Sequence, residues 1–142
     1  MKRIITFVLL AAFVVAFAGC AAKEPKQAIF HLIENNYDAI VTACENKDEE
    51  ALLAVDGIMK VNIIDGYVLA CCKGTGIAPS SQDYGFYYSE ENIPVTVDWN
   101  LDIVSYAEDL SPEGNGYQCI VHGNLFYTEH IKGNLYFYSN AT

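Results

Sequence analysis

The chain has 142 residues, of which 52% are hydrophobic, and it carries 18 acidic against 8 basic side chains for a formal net charge of −10. That length fits one domain of about 100–150 residues, large enough to fold on its own core without a metal or disulfide staple. A field of that sign repels phosphate backbones, so nucleic acid is excluded from the expected partners.

The first segment reads as an export signal. Lys2 and Arg3 precede an uncharged apolar run from Ile4 to Ala18, and small residues follow at Gly19-Cys20. Phe17-Ala18-Gly19-Cys20 resembles the lipobox of bacterial lipoproteins, with Phe17 where leucine is usual. The resemblance covers this segment alone. It implies cleavage before Cys20, diacylglycerol on the Cys20 sulfur, and a further acyl chain such as palmitate on the new amino terminus. The competing reading is an uncleaved anchor, since the uncharged run continues to Ala22. The expected organisation is a signal peptide over 1–19, a lipidated cysteine and short tether over 20–26, and a single α+β domain over 27–142. The expected location is the extracytoplasmic face of a membrane, with the membrane itself a partner through Cys20. Beyond Cys20 the chain has six Lys, no Arg and all 18 acidic residues, a net charge of −12.

Pro25 suits the first turn of a helix. Ile29, Ile33, Tyr37, Ile40 and Cys44 then recur at spacings of three and four, which predicts one apolar stripe with His31 facing solvent. Asn46 and Glu49 have capping-box spacing, and a short second helix with Leu52, Leu53 and Val55 should stop at Gly57. The period then changes to two. Residues 58–64 and 67–73 flank Asp65-Gly66, the strongest hairpin signal in the chain. That register sets Ile63 against Val68, Val61 against Ala70 and Met59 against Cys72 on a core face, with Cys71, Lys60 and Asn62 on the other.

Residues 74–83 read as a loop. Strands are expected at 84–88 and 93–97 around a polar turn, then at 101–106 after a turn at Asp98–Asn100. Residues 107–116 read as a loop, and a final meander runs through 117–122, 125–131 and 135–139 with turns at Gly123-Asn124 and Gly133-Asn134. Helices first and strands after give an α+β fold: a long and a short helix packed on an antiparallel meander of seven or eight strands, open rather than closed. This order of elements is loosely similar to the NTF2-like fold, a likeness that no motif carries.

The candidate chemistry is sparse, and no cofactor is expected. Cys44, Cys71, Cys72 and Cys119 allow two disulfides, with Cys44–Cys72 the first choice because both point to the expected core, although four free thiols are the simpler reading. If Gly123-Asn124 is a two-residue turn, Cys119 pairs with Thr128 and His130 lies diagonally beside it, a conceivable thiol dyad without any accompanying oxyanion signature. Asp98-x-Asn100-x-Asp102, with Asp109 at the twelfth position, resembles half of a calcium loop but has Ile103 where the sharp turn needs glycine. His31, His122 and His130 fall on different faces. Lys73-Gly74-Thr75-Gly76 has no helix behind it to cradle a phosphate.

Tyrosine is the unusual feature. Nine of ten fall between Tyr67 and Tyr138, with runs at Phe86-Tyr87-Tyr88 and Tyr136-Phe137-Tyr138. Such runs put rings on both faces of a sheet. The expectation is one core face and one exposed face, where Tyr87, Tyr136 and Tyr138 meet a protein or glycan. The chain thus reads as a membrane-anchored, non-enzymatic binding module. The alternatives are a thiol-dependent or hydrolytic envelope enzyme and a calcium-binding surface module.

Overall fold

The computed structural model describes residues 24–72 and 82–141. The expected signal peptide, Cys20 and the Lys73-Gly74-Thr75-Gly76 segment lie outside the described residues. The fold is α+β. Helices α1 (Pro25–Glu45) and α2 (Glu49–Leu53) precede strands β1 (Ile58–Ile64), β2 (Tyr67–Cys72), β3 (Gln82–Ser89), β4 (Thr96–Val97), β5 (Ile103–Ser105), β6 (Ser111–Glu113), β7 (Gly116–Val121), β8 (Asn124–Lys132) and β9 (Leu135–Ala141). Seven strands form one open antiparallel sheet in the order β1-β2-β3-β9-β8-β7-β6, and β4 pairs with β5 alone.

The α1 stripe is buried at Ile29, Ile33, Ile40 and Cys44, with Tyr37 half-buried and His31 exposed. The helix starts at Pro25, so Pro25 and Lys26 belong to it rather than to the tether. Lys26 pairs with the buried carboxylate of Glu129 on β8, which also accepts from the Tyr127 hydroxyl at 2.6 Å. Asn36 breaks the helical geometry, and its side chain donates to the Leu32 carbonyl at 2.8 Å, which kinks α1. Among the described residues no helix is long and apolar enough to cross a membrane.

The cap of α2 differs from expectation. Asn46 closes α1, Lys47 takes a left-handed turn at φ 53°, and Asp48 accepts from Ala51 N–H at 3.0 Å. Spacing alone could not separate two capping-competent residues that lie two apart.

The β1–β2 hairpin has the expected pairs Val61–Ala70 and Ile63–Val68. At its open end a bulge between Ile58 and Lys60 places Ile58, not Met59, opposite Cys72. Ile58 is therefore buried and Met59 exposed, because one extra residue reverses which side chain points inward.

The sheet has a core on each face. On the helix face, α1 and α2 cover Val61, Val68, Ala70, Phe86, Leu135 and Phe137. On the opposite face Leu69, Tyr87, Tyr136 and Tyr138 pack under Val95, Val97 and Leu101. These last three belong to a strap, residues 90–106, that leaves β3 and crosses the sheet. The expected hairpin of 84–88 with 93–97 does not form: β3 pairs with β2 and with the last strand, β9, and β4 with β5. Cys44 and Cys72 are both free and far apart. Cys44 lies near Tyr88, whereas Cys72 lies level with Tyr84, four residues and about 13 Å along β3.

Candidate binding face

Period-two alternation sends Tyr87, Tyr136 and Tyr138 to the strap face and Tyr84, Phe86, Tyr88 and Phe137 to the helix face. The strap makes the first set interior. Tyr87 and Tyr138 are fully buried and Tyr136 nearly so, so none of the three offers the exposed surface expected of it. Their role is to hold the strap. The Tyr87 hydroxyl accepts from Val95 N–H at 2.9 Å, lies 3.0 Å from Val95 O, and meets the Thr128 hydroxyl at 2.6 Å. Thr128 also reaches Phe137 O at 3.1 Å, so two hydroxyl protons serve three buried acceptors. The Tyr136 hydroxyl donates to Asn92, and Asn140 donates to Val97 O at 3.2 Å.

Removing the Tyr87 hydroxyl strands a buried amide N–H and carbonyl, which costs about 1–3 kcal/mol. Tyr87→Phe is therefore expected to lower the unfolding free energy by that amount, read as a lower urea midpoint at constant slope. An unchanged midpoint would show that the Tyr87 hydroxyl does nothing to hold the strap.

Around this buried set lies an accessible aromatic rim. Tyr87 and Tyr136 stack with centroids 5.1 Å apart, Tyr67 tilts against Tyr87 at 6.4 Å, and the His130 ring meets Tyr136 edge-on at 5.1 Å. Tyr106 is 50% and Tyr117 42% exposed, and Tyr67 is half-buried. Their phenols influence one another. Burial pushes the Tyr67 phenol up, the Ser89 hydroxyl partly offsets this, and Tyr106 and Glu91 push it further. Burial likewise raises Tyr136, with added repulsion from Tyr117 and Tyr67. The result is a cluster of amphipathic rings, apolar at the base and wet at the tips, of the kind that recognition surfaces use. Tyr67, Tyr106 and Tyr117 were not singled out by sequence. Their shared face depends on which strands are neighbours, and only the tyrosine richness of the region signalled it.

Cys119 lies between β7 and the strap, its sulfur 3.4 Å from Ser105 Oγ and 3.6 Å from Thr96 Oγ1. A groove of about 560 Å³ runs beside it, lined in part by Asp109, Ser111 and Gln118. The β7–β8 turn is His122-Gly123, both with positive φ, and not Gly123-Asn124. Cys119 therefore pairs with Phe126 rather than Thr128. His130 is four residues further along β8, about 13 Å away along the strand. Its Nε2 is 2.7 Å from Gly133 O at the next turn. The fold does not bring Cys119 and His130 into hydrogen-bond contact.

The calcium-like segment is a self-contained turn. Asp98 Oδ1 accepts from Asn100 N–H at 2.8 Å and Asp102 N–H at 3.1 Å, and Leu101 takes φ 62° at its corner. Asp109 sits apart in a single 3₁₀ turn. Among the described residues no cluster of three or more Asp, Glu, His or Cys side chains is placed to hold a metal ion. His31 is 3.7 Å from Glu34 on the exposed side of α1.

This architecture defines an acidic α+β module with one helix-covered and one strapped sheet face. Comparison with known proteins finds no matching family model, no matching curated protein and no matching solved structure.

Proposed function

We propose that the protein is an exported, lipid-anchored binding module that recognises an envelope protein or glycan through the rim of Tyr67, Tyr106 and Tyr117. The observation that carries this reading is the exposure of Tyr106 and Tyr117 beside a stacked tyrosine pair. Tyrosine presents a large rigid contact area with a hydroxyl at its edge, and orders at low entropic cost because only two torsions are fixed. The lipobox-like segment ending at Cys20 supplies the address. The net charge of −12 beyond Cys20 disfavours anionic partners and suits neutral or basic ones. The dyad alternative rests on a Cys119–Thr128 register that the β7–β8 turn does not adopt, so the binding reading is preferred.

The test is binding of the anchored chain, in detergent micelles, to envelope proteins and separately to cell-wall glycans. Tyr106→Ser combined with Tyr117→Ser should weaken binding at least tenfold and leave the chain folded, since both residues are about half exposed and neither belongs to a buried core. Equal binding by variant and parent would refute the tyrosine rim.

A further inference from the structure

We infer that the β7–β8 end of the sheet docks on the phospholipid surface that holds the anchor, so that the domain stands in one fixed orientation. The inference rests on the lipid anchor proposed at Cys20. Four chain steps separate Cys20 from Glu24, which permits a reach of at most about 14 Å. The polar layer of one bilayer leaflet is about 5–7 Å thick. Whatever part of the domain surrounds Glu24 is therefore held at the headgroups.

The register identifies that part. A groove of about 400 Å³ brings Glu24, Pro25 and Lys26 beside Tyr84, Tyr127 and Phe137 on the helix face of the sheet. Tyr127 and Tyr84 lie level with one another through Ser139. The next same-face position on β8 is Leu125, two residues and about 7 Å further out, and Ile120 of β7 stands directly opposite it. Both lie beyond the N-terminal end of α1. Leu125 is 41% and Ile120 71% exposed. Two adjacent aliphatic side chains with tyrosines behind them match the chemistry of a membrane interface, where aromatic rings settle at headgroup level.

The docked pose leaves the tyrosine rim on the strap face open at the side of the domain.

The experiment uses the full lipidated chain in phosphatidylethanolamine–phosphatidylglycerol vesicles containing shallow spin-labelled lipid. Trp99 is the sole tryptophan, so Trp99→Phe supplies a silent background. Leu125→Trp and Ile120→Trp are compared with Glu91→Trp, all at exposed positions. Docking predicts at least twofold stronger quenching at 125 and 120 than at 91, with a blue-shifted emission. Equal quenching at all three sites, in a chain that floats with the vesicles, overturns the docking and leaves the anchor standing. Failure to float, matching a Cys20→Ser control, overturns the anchor and the docking together. A blue shift at 125 in the Cys20→Ser chain without vesicles, growing with protein concentration, would assign the patch to a second copy and overturn the docking.

Discussion

Gly85→Ala is expected to cost about 3 kcal/mol or more, a large part of the ~5–15 kcal/mol that holds a domain of this kind together. A β-carbon at Gly85 would lie 1.9 Å from Ala70 O and 2.9 Å from both Ala70 C and the Tyr138 ring. Two of these three atoms are backbone of the neighbouring strand, so relief requires separating β2 from β3 near the middle of the sheet. Tyr138 lies across the bare glycine and fills the space that a side chain would take. Gly66→Ala is the matched comparison. It has open space around it but sits at φ 76°, so only left-handed strain of about 1–2 kcal/mol applies. Equilibrium urea unfolding of the two variants measures the difference. Equal losses would show that the β2–β3 contact yields easily and that this account of the sheet centre is wrong.

Stability should decline as pH rises through the range from about 9 to 12. Burial pushes the Cys44 thiol from 9.0 up to about 12, with the Glu45 charge adding to it. Burial pushes Cys72 to about 12 as well, with Cys71 adding and a backbone hydrogen bond at Phe86 partly offsetting. The folded chain keeps these protons where the unfolded chain releases them. Over that interval the unfolded state binds fewer protons, and the linkage relation gives a stability that falls with pH. Below about 9 none of this stability is lost, and by the top of the range each thiol has cost at most about 4 kcal/mol. The buried phenols of Tyr87 and Tyr138 and the half-buried phenol of Tyr127 are also raised and act with the same sign above 10. Urea midpoints under reductant at pH 7, 9 and 10.5 measure the decline. In separate samples at pH 8, freed of reductant, iodoacetamide should leave Cys44 and Cys72 unmodified until urea unfolds the chain. A midpoint that holds steady to pH 10.5 would mean that the thiols are far less buried than the fold requires.

Half of the tyrosine arrangement was legible from residues and half was not. The runs at 86–88 and 136–138 announced rings on both sheet faces, and alternation assigned each ring to its side. Nothing local revealed that the two runs pair with each other, Tyr87 with Tyr136 and Phe86 with Phe137. That contact joins β3 to β9 across almost fifty residues, and long-range pairing leaves no periodic trace in either segment. The same gap misplaced the exposed surface. A face judged open is closed by the strap, so the accessible rings are Tyr106 and Tyr117 at its margin rather than Tyr87, Tyr136 and Tyr138 beneath it. A one-residue displacement of the β7–β8 turn moved Cys119 from Thr128 to Phe126, because Gly-Asn and His-Gly both serve in such a turn.

By itself the sequence determined what short-range physics dictates. The α1 stripe, the Asp65-Gly66 hairpin, the α+β order and the acidity follow from side-chain periodicity, turn residues and charge, each of which acts within a few residues. Tertiary structure decided what depends on distant segments meeting. It set the neighbour order β3-β9-β8-β7, placed the strap as a third layer, separated Cys44 from Cys72 and located the open tyrosines. Burying both faces of one sheet requires a cover for each. The helix announced its cover by its own stripe, whereas the strap is held by Val95, Val97 and Leu101 packed on the tyrosines and by hydrogen bonds to Tyr87, Tyr136 and Asn140, contacts that form once the chain has closed on itself.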